Sequence, residues 1–130
     1  RLSNEVACLA VVADFKKAPG DRLLFPDVTL ETLAQNGPER DTAIAAAILH
    51  LHSHLFGDSG PLSKEGTDIT QATLLDAWST LSKWDNVDHA NALRVTCKGP
   101  GNWELKEMRA IRTWMAAVSM LILDPRFLLQ

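Results

Sequence analysis

The stretch NWELKEMRAIRTWMAAVSMLIL, Asn102 to Leu123, decides the fold class. Its apolar residues Leu105, Met108, Ile111, Met115, Val118 and Ile122 recur at steps of three and four, which is helical periodicity. Asn102 is placed to cap the helix start, because its side-chain oxygen can accept from the free amides of the first turn. Asp124-Pro125 supplies the stop, since a proline disfavours α geometry in the residue before it. Glu104, Lys106, Glu107, Arg109 and Arg112 give the first half a wet side. From Thr113 to Leu123 there is no charge, and a helix apolar all round has to be covered all round. That uncharged run is eleven residues long, against roughly 20 for a membrane-spanning helix, so it reads as buried core and no membrane insertion is expected.

Working outward, the chain resolves into further helical segments. Ser3 or Asn4 caps a first helix running to about Lys17, and Ala18-Pro19-Gly20-Asp21 breaks it. A short second helix is expected from Val28 to Gln35, ended by Asn36-Gly37. A long third one runs from Glu39 to Phe56, after Pro38 and before Gly57. Asp58 to Gly66 is the most loop-like stretch. The spacing of Asp68 and Gln71 resembles a capping box and marks a fourth helix reaching about Trp84. A fifth is expected from Asp85–Asp88 up to Gly99-Pro100-Gly101. No period-2 strand and no internal repeat is visible. The reading is an all-α bundle of five to six helices around a largely buried helix over 102–123.

The 130 residues, 46% of them apolar, fit one domain spanning 1–130 with a real core. Because the chain starts at Arg1 rather than Met, it is expected to be a piece of a larger protein. The net charge of −3 conceals an asymmetry. Residues 1–93 carry 7 Lys/Arg against 13 Asp/Glu, whereas residues 94–130 carry 6 against 3. Cys8 and Cys97 fit neither a disulfide framework nor a zinc site by spacing, so two buried free thiols in a reducing intracellular compartment are expected.

Three functional readings follow. The uncharged half of the last helix, with Phe127, Leu128 and Leu129 beyond it, offers more apolar surface than a small bundle needs. This favours a non-catalytic interaction or assembly module that self-associates or docks a partner protein through Trp114, Leu121, Phe127, Leu128 and Leu129. The alternative is nucleic-acid binding, or capture of an acidic partner, by a basic patch. Arg94 and Lys98 share one helix face; Lys106, Arg109 and Arg112 line another; and Trp103 at the edge is available to stack on a base. Such a patch suits an accessory domain of a replication, transcription or packaging apparatus, viral or cellular. The third reading is a metal-dependent enzyme. His50 and His54 stand at i, i+4, the spacing of a two-ligand clamp, but HLHSH lacks the glutamate of His-Glu-x-x-His. No nucleophile–base pair or phosphate-cradling glycine loop is recognisable, so no enzyme activity and no cofactor is expected.

Overall fold

Four α-helices stand among the described residues: α1 (Leu2–Phe15), α2 (Pro38–Phe56), α3 (Lys64–Leu81) and α4 (Leu105–Leu123). The structure, a computed structural model, describes the backbone of residues 2–57, 62–84, 97–100 and 102–123, and side chains over 6–57, 62–83, 97–100 and 102–122. No strand occurs among them, so the all-α class holds, with four helices where five to six are expected. The expected fifth helix falls mostly outside the described residues.

Helix α4 is the centre of the bundle. Ala110, Ile111, Trp114 and Leu121 are completely buried, with Met108, Ala117 and Val118 nearly so. It packs chiefly against α1 and α3, and more lightly against α2. Each large apolar side chain buried there contributes about 1.5–3 kcal/mol relative to leaving it in water. Trp114 abuts Phe25 (centroids 5.2 Å apart), which stacks on Phe15 of α1 at 4.6 Å. The loop after α1 thereby supplies part of the core. No described helix is long and apolar enough to cross a membrane.

The helix boundaries show which local signals win. The amide of Glu104 donates to Glu107 Oε1 at 2.9 Å, one half of a capping box, so α4 starts at Leu105 and Asn102 lies in the preceding turn. The expected helix over Val28–Gln35 shrinks to one 3₁₀ turn, Thr32–Ala34. Threonine hydroxyls compete for its amides: Thr32 Oγ1 accepts from Thr29 N, and Thr29 Oγ1 from Glu31 N. Helix α2 begins at Pro38, but Gly37, at φ 104°, precedes that start instead of closing a helix. Gly57, at φ 58°, closes α2 as its sequence predicts. Helix α3 begins at Lys64, before the Asp68–Gln71 spacing, because Ser63 Oγ accepts from Gly66 N at 3.0 Å.

Two tertiary ties are absent from the sequence-based expectations. Cys8 and Cys97, both buried, form a disulfide across 89 residues and are not free thiols. That bond is compatible with an oxidising compartment as well as with others, so the expected reducing location is not carried forward. The second tie is Asp14, buried in α1, whose carboxylate accepts from Leu23 N (2.8 Å), Leu24 N (3.1 Å) and Phe25 N (2.8 Å). Arg22 clamps the same loop, donating to Lys17 O at 3.0 Å and Val28 O at 2.9 Å while its guanidinium covers the Phe15 ring.

His52 is fully buried against Phe56, and neither ring nitrogen has a hydrogen-bond partner among the described residues. An unpartnered buried polar group costs about 1–3 kcal/mol. His52→Leu is therefore expected to raise the unfolding free energy by about 1 kcal/mol in denaturant titrations, because it removes that penalty at similar volume. A loss of the same size would show that the imidazole is stabilising where it lies.

Candidate functional site

Of the five residues expected to form an apolar docking face at the C-terminal end, the structure describes two. Trp114 and Leu121 are completely buried within the domain's own core, which leaves neither a surface for a partner. The requirement that α4 be covered all round is met largely from inside, by α1, α3 and the Phe25 loop. Phe127, Leu128 and Leu129 lie outside the described residues.

Two members of the expected basic patch have described surroundings that engage them. Arg109 turns inward: its guanidinium lies over the Trp78 ring at 3.6 Å, and both Nε and Nη2 donate to Trp78 O, the Nε contact at 2.8 Å. That carbonyl belongs to the last turn of α3, where helix carbonyls lack intrahelical partners and a cation meets the negative end of the dipole. Arg109 thus caps α3. Trp103 is half-buried against the core, and Arg112 is half-buried as well. Lys106 is exposed, but it lines a cleft of about 380 Å³ together with Glu31, Glu104 and Glu107, over a floor that includes Leu30 and Ala34. Three carboxylates against one ammonium make the cleft acidic. Lys98 is exposed at φ 57°, the left-handed geometry that follows helical Cys97. Arg94 lies outside the described residues. Of the four described cations that the sequence aligns on two helix faces, Arg109 is engaged with α3 and Lys106 stands among carboxylates.

His50 and His54 do share a flank of α2, with nearly parallel rings 6.4 Å apart. His52 points into the core instead. Among the described residues no group of three or more His, Cys, Asp or Glu is arranged to hold a metal ion.

Among the described residues, large apolar side chains face outward at Leu23, Leu49 and Leu105 and at two positions of α1. Ala7, Cys8, Val11, Val12 and Phe15 pack into the core, whereas Val6 is 51% exposed, Leu9 is 44% exposed and Ala13 is exposed too. Val6, Leu9 and Ala13 follow each other at steps of three and four. This is the a/d spacing of a helix–helix seam. Lys16 and Lys17, both exposed, stand at its C-terminal end, while Glu5 lies near its start. The sequence carries the signal: Val6 to Ala13 are eight consecutive apolar residues, so α1, like α4, is apolar on more sides than one core contact covers.

Comparison with protein-family models, with curated proteins and with solved structures gives no match. The functional reading therefore rests on the residues themselves.

Proposed function

We propose that this domain is a non-catalytic assembly module that pairs with a second copy of itself through the outward seam of α1. The observation that carries the reading is the 3-4 register of the exposed Val6, Leu9 and Ala13 on a helix whose opposite side is already packed and disulfide-anchored. Charge favours an antiparallel twofold arrangement, which sets the Glu5 end of each helix beside the Lys16-Lys17 end of the other. Covering a half-exposed Val or Leu contributes about 1 kcal/mol, and a twofold seam contains four such side chains. Four such side chains make a small seam, so the dimer is weak and concentration-dependent.

The charge arrangement gives a direct test. Lys16→Glu/Lys17→Glu is expected to shift the dimer to monomer on size exclusion with light scattering, and added salt to weaken the wild-type dimer. Indifference of the dimer to both would eliminate the antiparallel arrangement. A nucleic-acid role is not favoured, because Arg109 is engaged with Trp78 and Lys106 stands among three glutamates.

A further inference from the structure

We propose that His50 and His54 form a two-ligand surface clamp for a borderline divalent cation, Cu²⁺ foremost, on the flank of α2. This site is independent of the α1 seam. The two imidazoles stand one helical turn apart, inclined by 18°, with centroids 6.4 Å apart. His50 Nε2 lies 2.7 Å from Leu23 O. A carbonyl can only accept, so Nε2 carries the proton and Nδ1 of His50 keeps its lone pair for a ligand. A metal-binding histidine is oriented in this way, its second nitrogen donating to a backbone carbonyl.

His54 is exposed and makes no hydrogen bond among the described residues, so its ring can turn towards the same point. Two nitrogens that share one ion each sit about 2.0–2.1 Å from it, a gap that rotation about the His54 side-chain bonds can reach. His52, buried against Phe56, is excluded from the set. With no third His, Cys, Asp or Glu arranged beside the pair among the described residues, the other coordination positions go to water. Two imidazoles completed by water suit tetragonal Cu²⁺ better than the closed tetrahedron of structural zinc, and Cu²⁺ leads the divalent affinity order. Because helical geometry brings the rings together, the ion binds the folded state and raises its melting temperature.

The test is titration of the full chain with Cu²⁺ alone in a non-coordinating buffer, read by calorimetry, by melting temperature and by electron paramagnetic resonance. The expected result is one bound equivalent with nitrogen hyperfine structure and a rise in melting temperature. His54→Ala, at an exposed and unbonded position, should weaken binding by about tenfold or more and remove the rise, whereas His89→Ala should change neither. Unchanged affinity in His54→Ala, loss of binding in His89→Ala, or no binding at micromolar Cu²⁺ would each overturn the proposal.

Discussion

Reducing the Cys8–Cys97 disulfide, or replacing both cysteines by alanine, is expected to lower stability by about 4–5 kcal/mol, the entropy restored to an unfolded chain freed of a long closed loop. The two residues are 89 apart in sequence, near the upper end of the range over which that effect grows. Domains of this size have a total stability of about 5–15 kcal/mol, so the loss takes a large share. The bond fastens α1 to Cys97 and so to the chain entering α4, joining the two helices that make one of the main contacts of the bundle. Guanidinium unfolding with and without reductant measures the difference. Coincident midpoints would mean that the bond contributes nothing to the folded state.

Asp14→Ala is expected to cost at least about 4 kcal/mol, because hydrogen bonds to a charged group contribute about 1.5–3 kcal/mol each and three are lost together. The amides of Leu23, Leu24 and Phe25 would lose their acceptor, at a place where the loop enters the core beside Phe15 and Trp114. Asp14→Asn retains one acceptor oxygen and presents an amide group where the second was. It should therefore fall between wild type and Asp14→Ala in urea titrations. Equal stability of all three proteins would contradict an anchoring role for the carboxylate.

The helical class and the central place of α4 were legible because they depend on local periodicity. The 3.6-residue rhythm of Met108, Ile111, Met115 and Val118 identifies the helix whatever surrounds it. Boundaries were read less well where two local signals competed. Ser63 outbid Asp68 as the cap of α3, and the hydroxyls of Thr29 and Thr32 held a would-be helix to a single turn. The candidate sites were least legible, because they depend on which face turns inward. Arg109 reads as a surface cation by its position, yet Trp78, 31 residues earlier, takes it up as a helix cap. Cysteine pairing across 89 residues likewise leaves no local trace. The α1 seam was within reach of the same argument that selects α4, since Val6 to Ala13 is apolar throughout. His50 and His54 were legible as an i, i+4 pair, whereas the Leu23 carbonyl that fixes the tautomer of His50 belongs to tertiary structure.

Pairing through α1 is tested most directly by sedimentation velocity of the wild type and of Leu9→Glu, from micromolar to near-millimolar concentration. Leu9 is partly exposed, so the charged variant is expected to fold with an unchanged melting temperature. The wild type should pass from monomer to dimer as concentration rises, while Leu9→Glu remains monomeric throughout. A wild type that stays monomeric over the whole range, or a dimer that Leu9→Glu leaves intact, would contradict the assignment of α1 as the assembly surface.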